Sequence, residues 1–276
     1  MSCRFATRLR YGALALTLAL GLCVAPAFAD DEPVDVELVL AVDVSLSMSA
    51  QELVIQRDGY AAALTDPAVL RAIADGAHGK IAVTYVEWAG QSTQLVVVEW
   101  REIASPADAA AFVRLMTANP PRSARRTSIA AALDFSARLF AGNGFRGAKR
   151  VIDVSGDGPN NQGDRVVAAR DRAVAQGITI NGLPLMTNRE GLITPFDIAD
   201  LDQYYADCVI GGPGAFVIPV NAWPQFGEAV RRKLVLELAR DDELAPPRVV
   251  QVAAQPGTDC LIGEKIWRNR GWIDLQ

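Results

Sequence analysis

Asp43, Ser45 and Ser47 stand at alternate positions where an apolar run ends, in the string LVLAVDVSLSMS. Alternation sends side chains of an extended chain to one side, so a carboxylate and two hydroxyls project together there. A second apolar run, KRVIDVS, ends in Gly156-Asp157-Gly158, and Thr127 lies between the two runs, where a loop meets a helix start. Two carboxylates and three hydroxyls placed at one sheet edge make a hard-oxygen donor set. It suits Mg²⁺ first, with Mn²⁺ or Ca²⁺ as alternatives. Two anionic side chains do not saturate a divalent ion, so water or an outside carboxylate would complete its shell. Asp-x-Ser-x-Ser alone has a plainer explanation, a polar turn that caps the following helix. The spaced Thr and Asp, in the right element order, make the combination specific.

These residues need a sheet to carry them. Val36–Val44 is almost all apolar and reads as a strand buried on both faces, as in parallel sheets. Ser49-Ala50-Gln51-Glu52 is a capping box that opens a helical pattern running to about Ala74, broken or kinked at Pro67. Lys80–Trp88 and Thr93–Ile103 read as two strands of an antiparallel hairpin at a sheet edge. Ser105-Pro106 opens a helix to about Ala118, Asn119–Arg126 is a loop, and Ser128–Phe140 is a helix. The strand Lys149–Ser155, the helix Asp164–Gln176 and the strand Ile178–Leu185 follow. A short helix over Asp197–Asp207, a last strand over Ala215–Val220 and a last helix over Trp223–Arg240 complete the series. Such alternation predicts a doubly wound α/β fold: a mostly parallel sheet with one antiparallel edge strand and helices on both faces. Ligands of such sheets sit beyond the carboxyl ends of the strands, where Asp43 and Asp157 fall.

At these strings the chain resembles the von Willebrand factor A domain family, a Rossmann-like fold. The resemblance is carried by LVLAVDVSLSMS, RRTSIAAALDFS and VIDVSGDGPNN and covers about Val36 to Arg240. In that family the three strings are the loops of the metal-ion-dependent adhesion site. The resemblance assigns Asp43, Ser45 and Ser47 to the first loop, Thr127 to the second and Asp157 to the third. It implies that the hydroxyls are direct or near-direct ligands and that Asp157 binds directly or through water. It also implies a protein partner that offers an Asp or Glu. DVSGDGPNN, CVIGGPGAF and a Cys-bearing tail further resemble a group of exported proteobacterial proteins with this domain, which brings no established activity with it.

The competing function is a metal-assisted phosphohydrolase using Asp43 or Asp157. A haloacid-dehalogenase-type phosphatase needs Asp-x-Asp after the first strand, and Ser45 occupies the second Asp position. The lone histidine, His78, falls in a loop away from the motif strings, so no general base is evident. A third reading is a scaffold that no longer binds metal; the five intact ligand positions speak against it. Gly142–Gly147 fits G-x-G-x-x-G by letter but follows a helix and precedes a strand, the wrong order for a dinucleotide, and reads as a helix stop and turn. Arg122, Arg125 and Arg126 border the metal loops and read as a solvated loop in preference to a steering patch for an acidic partner. The tryptophans read as packing residues, and Asn160 and Asn161 as shapers of the third loop.

Composition sets the frame. With 50% hydrophobic and 21% charged residues, disorder and fibrous repeats do not fit. Residues 1–29 have the basic start, apolar run and Ala27-Phe28-Ala29 end of a signal peptide, which predicts a chain that begins at Asp30 and is periplasmic or secreted. Removing Arg4, Arg8 and Arg10 from 27 basic residues leaves 24 against 32 acidic ones, a net charge of −8 that gives no support to nucleic-acid binding. No later segment is apolar for long enough to span a membrane. Residues 30–240 are expected to form the domain. Asp241–Gln276 opens with DDELAPP, lacks clear periodicity and reads as a tail packed on it. Cys208 and Cys260, the cysteines left in an exported chain, are expected to pair, with two buried free thiols as the alternative.

Overall fold

The computed structural model describes residues 31–187, 198–239 and 257–271. The leader, residue 197 and the DDELAPP segment lie outside the described residues. Five strands form one sheet in the order β3-β2-β1-β4-β5. They are β1 (Glu32–Asp43), β2 (Ile81–Trp88), β3 (Gln94–Ile103), β4 (Phe145–Gly156) and β5 (Thr179–Pro184). All neighbours are parallel except β2 and β3, the hairpin at the edge. The expected doubly wound, mostly parallel sheet is therefore the observed one.

Among the described residues the α-helices are α1 (Ala50–Leu64), α2 (Pro67–Ala74), α3 (Pro106–Met116), α4 (Ile129–Leu139), α5 (Val166–Ala175), α6 (Leu201–Tyr204), α7 (Phe226–Leu238) and α8 (Ile262–Gly271). Leu38, Leu40 and Val42 of β1 enter a core with Leu53, Tyr60, Phe112, Phe226 and Leu234, from α1, α3 and α7. Val39 and Ala41 enter the opposite core with Leu133, Ala169, Ile180 and Tyr205. The unbroken apolar run of β1 thus serves both faces, the reason it shows no alternation. Local signals set the helix starts. Ser49 and Glu52 make the reciprocal capping box of α1, and Pro67 begins a separate helix with Asp66 as its cap.

Four sequence expectations are corrected. β4 starts at Phe145, not Lys149, because Gly142 (φ 67°) and Gly144 (φ 84°) close the turn at once and let Phe145 pair with Glu32. The first two glycines of the G-x-G-x-x-G string thus make a turn and the third lies in a strand. The stretch Ala215–Val220 runs beside β5 and the residue after it through the isolated bridges Gly182↔Val217 and Leu185↔Val220 in place of a ladder, and Pro219 has no N–H to extend one. The expected helix ending at Asp207 continues past it: α6 runs on as a wider π-type turn, Tyr205–Val209. The tail is not irregular throughout, since it contains α8. The Cys208–Cys260 bridge is formed, with Cα atoms 5.6 Å apart. Among the described residues no helix is long and apolar enough to cross a membrane.

Candidate metal centre

Three loops meet beyond the carboxyl ends of β1 and β4. These strands are neighbours in register, with Val42 opposite Ser155, so the residues after them emerge side by side. This is the point where the sheet order reverses, the usual ligand crevice of such folds.

The first loop leaves β1 at Asp43, which is fully buried. Gln56 of α1 donates to its carbonyl oxygen at 2.8 Å and holds the strand end. Asp43 Oδ1 accepts the Ser45 N–H at 2.7 Å. Ser45 Oγ and Ser47 Oγ are 2.8 Å apart, and Ser47 Oγ donates to Asp157 Oδ1 at 2.8 Å. A hydroxyl has one proton to give, so Ser45 is the donor to Ser47. Four of the five expected residues therefore form one continuous polar chain.

Thr127 joins them by another route. The second loop is laced to the first through Ala124, whose N–H donates to Val44 O and whose carbonyl accepts the Leu46 N–H, each at 2.9 Å. Thr127 itself is buried, with its N–H donating to Asn161 Oδ1 at 3.0 Å and its carbonyl accepting the Asn161 N–H at 2.9 Å. The structure thus holds Thr127 between the first and third loops by its backbone. Among the described residues its hydroxyl makes no hydrogen bond to the other four.

The electrostatics set burial and a neighbouring carboxyl against the charge of Asp43. Burial pushes the Asp43 carboxyl well above the usual carboxylate range, and the charge of Asp157 adds to that; the bonds from Ser45 and the backbone N–H of Asp157 oppose both. Asp43 Oδ2 is buried and accepts no hydrogen bond. A buried carboxylate oxygen without a partner is costly, and a neighbouring like charge makes it more so. The donor set fits a divalent cation on both counts: an ion would partner Oδ2 and offset the repulsion from Asp157. A Cβ at Gly156 would fall 3.0 Å from Asp43 Oδ2 and 2.8 Å from the Tyr205 hydroxyl, so only glycine leaves both groups in place. Among the described residues no three His, Cys, Asp or Glu side chains gather to hold a metal, here or elsewhere, so this set would rely on hydroxyls beside its two carboxylates.

His78 lies at the other end of the sheet. Its N–H donates to Asp35, near the start of β1, about 26 Å along the strand from Asp43 at 3.3 Å per residue. Asn160 and Asn161 shape the third loop as expected, Asn160 by accepting the Ala130 N–H of α4 at 3.0 Å. Arg126 departs from its expectation. It adopts φ 76° and its guanidinium lies 3.2 Å over the Trp267 ring, so it is a packed residue, while Arg122 and Arg125 are exposed. Sequence reasoning missed Tyr205, whose buried hydroxyl has no hydrogen-bond partner and whose ionisation is suppressed first by burial and then by Asp43 and Asp157. It also missed a buried charge cluster behind the site: Lys233 Nζ lies 2.9 Å from Asp153 Oδ1 and also pairs with Glu237. Lys233 and Glu237 are four apart on α7, a spacing that reads as a solvated surface pair until the helix is docked.

Comparison with known proteins agrees with this fold. Residues 33–242 match the family described as "Protein of unknown function (DUF1194)". No curated protein matches the chain. Among solved structures, proximal thread matrix protein 1 from the mussel byssus, with a zinc-occupied MIDAS motif, superposes with TM-score 0.55 at 15% identity, covering 76% of this chain and 49% of that one. A von Willebrand factor type A protein from Catenulispora acidiphila gives TM-score 0.50 at 16% identity, covering 74% and 43%. The pilus adhesin SpaC of Lactobacillus rhamnosus GG, in an open conformation, gives 0.52 at 13% identity, covering 74% and 30%. The chain spans half or less of the length of each. At these identities the likeness is one of fold.

Proposed function

We propose that this chain, which belongs to the von Willebrand A-like DUF1194 family, is an exported module that binds a protein partner through a divalent ion. Asp43, Ser45, Ser47, Thr127 and Asp157 would hold one ion, Mg²⁺ first, with Mn²⁺ or Ca²⁺ as alternatives. The observation that carries this reading is the buried Asp43 Oδ2, which has no hydrogen-bond partner and sits with its neighbours in a set of hard-oxygen donors. The zinc-occupied motif of the mussel protein supports a metal on this fold, and the adhesin and matrix proteins among its neighbours support binding over catalysis.

When bound, the ion supplies an electrophilic centre for a carboxylate of the partner. The residues of this chain set that property. Two carboxylates match the formal charge of a divalent ion but fill only part of its shell, and the hydroxyls of Ser45, Ser47 and Thr127 would fill further positions without adding negative charge, which leaves the ion a Lewis acid for one more oxygen. An incoming Asp or Glu then gains a charge-assisted bond. Intrinsic catalysis is not part of the reading.

Calorimetric titration should show one weak site, lost in Asp43→Ala and Asp157→Ala while the fold survives, since both residues lie at a strand-end rim. Pull-down from periplasmic extract with Mg²⁺ should recover a partner that chelator, Thr127→Ala and neutralisation of one acidic partner residue each release. Binding that persists through all three changes would place the interface elsewhere. Robust metal-dependent phosphate release would instead favour the phosphohydrolase. For export, an intact mass that starts at Asp30 is expected; a retained leader would sink that part.

A further inference from the structure

The tail helix lies against the metal loops. Glu264 Oε1 accepts from Asn160 Nδ2 at 2.8 Å, and Gly263 sits so close that a Cβ would fall 2.1 Å from the Asn160 carbonyl oxygen. Trp267 carries the Arg126 guanidinium over its ring, and Arg126 is the residue beside Thr127. The other side of this helix's attachment is the turn Tyr205–Val209. Cys208 is bonded to Cys260, and Thr258 Oγ1 donates to Asp207 Oδ2 at 2.6 Å. The same turn brings the Tyr205 hydroxyl against Gly156, on which Asp43 Oδ2 of the first loop also closes, and just before it the Tyr204 hydroxyl accepts the Asn160 N–H at 3.2 Å. One disulfide-closed unit therefore reaches all three loops: the first through Tyr205, the second through Trp267, the third through Glu264 and Tyr204.

We propose that this unit, α8 together with the turn that Cys208 ties to it, positions the second and third loops and thereby sets the affinity of the face for its ion. The proposal rests on the reading of those loops as a metal site. Its physical basis is the backbone of Arg126. A non-glycine residue at φ 76° persists only where its surroundings hold it there. The stack on Trp267 is such a hold, and relaxation of Arg126 to negative φ would turn the peptide that leads into Thr127. Asn160 works in the same way. Its side chain links Glu264 to the first turn of α4, and the loop it anchors begins at Asp157. Groups that orient ligands without touching the metal typically change its affinity by roughly ten- to a hundredfold.

The test uses the full oxidised chain, with Mn²⁺ as the probe, beside Cys260→Ser, Trp267→Ala, Trp267→Phe, Glu264→Gln and Glu264→Leu. Calorimetry reads the Mn²⁺ affinity. Amide hydrogen exchange of the metal-free proteins reads the order of residues 124–128 and 158–163. Cys260→Ser, Trp267→Ala and Glu264→Leu should weaken Mn²⁺ binding by about tenfold or more and speed exchange in those two segments while the sheet stays protected. Trp267→Phe should restore most of the loss because a ring remains under Arg126, and Glu264→Gln because an acceptor remains for Asn160. Those rescues separate positioning from a general loss of stability. Wild-type Mn²⁺ affinity and wild-type loop exchange in the three damaging variants would overturn the proposal and leave the metal reading standing. A wild-type chain that takes up no Mn²⁺ would overturn both.

Discussion

Asp43 is a poor residue for a fold to bury by itself. The Ser45 N–H bonds its Oδ1 and the Asp157 N–H favours its charge, but Oδ2 accepts no hydrogen bond and a second carboxylate lies close by. An ion at this edge would supply the partner that Oδ2 lacks, which is the basis of the proposed role. Asp43→Asn keeps an acceptor for the Ser45 N–H and removes the charge. In urea denaturation without metal it should be at least as stable as wild type, yet lose divalent-ion binding. A metal-free variant much weaker than wild type would make Asp43 a structural residue. Gly156 yields a second expectation. Gly156→Ala should abolish metal binding and cost about 1–3 kcal/mol, because its methyl meets Asp43 Oδ2 and the Tyr205 hydroxyl at or below contact distance. Adding Tyr205→Phe removes one of the two obstructions. The double variant should therefore be more stable than Gly156→Ala, as read by thermal melting, and an unchanged melting point would sink that account.

Among the elements, β4 connects the site to the core behind it. Its end carries Asp157, and four residues earlier Asp153 points to the α1 and α7 side, where Lys233 meets it with both side chains fully buried. Lys233 is shared with Glu237, which also accepts from Asn181 of β5 at 2.9 Å. Lys233→Met would leave two buried carboxylates without their cation and should cost about 3–5 kcal/mol in chemical denaturation. A loss under 1 kcal/mol would show that water reaches the cluster. Burial raises the Glu237 carboxyl to about 7 from its ordinary 4.5, against the pull of Lys233, with Asp153 pushing the same way as burial. A group whose folded pKa is raised contributes stability that is complete below the unfolded value and is lost as pH rises through the folded one. Stability attributable to Glu237 should therefore decline from about pH 4.5 to 7. Glu237→Gln should flatten that part of the profile, since Asn181 and Lys233 keep an oxygen acceptor; a profile parallel to wild type would rule Glu237 out as the source.

At the scale of the whole molecule, the Cys208–Cys260 bridge closes a separation of 52 residues. In the chain-entropy account such a loop stabilises by about 4 kcal/mol, less where the native state is strained. Cys260→Ser should lower stability by an amount of that order, and a change below about 1 kcal/mol would mean that the tail docks without its covalent tie. The donor set was legible in the sequence because each of its members carries a local sign: alternation at the end of a buried strand, or a position at a strand end or helix start. The fold was legible for the same reason, since strands and helices announce themselves through near neighbours and period. What the chain order hides is contact across the fold. α8, IGEKIWRNRG, is short and mostly polar; besides Ile262 against the core, a ring–guanidinium stack, a side-chain hydrogen bond and the disulfide just before it hold it, all to distant residues. Lys233 and Glu237 look like a solvent pair on α7, and only docking against β4 buries them. The sequence by itself determined which oxygens lie at the carboxyl edge of the sheet, because strand period and helix caps are local. Only the tertiary structure decided that Tyr205, Arg126 and the tail helix surround them, because those contacts exist once the loops and the disulfide close across the sheet.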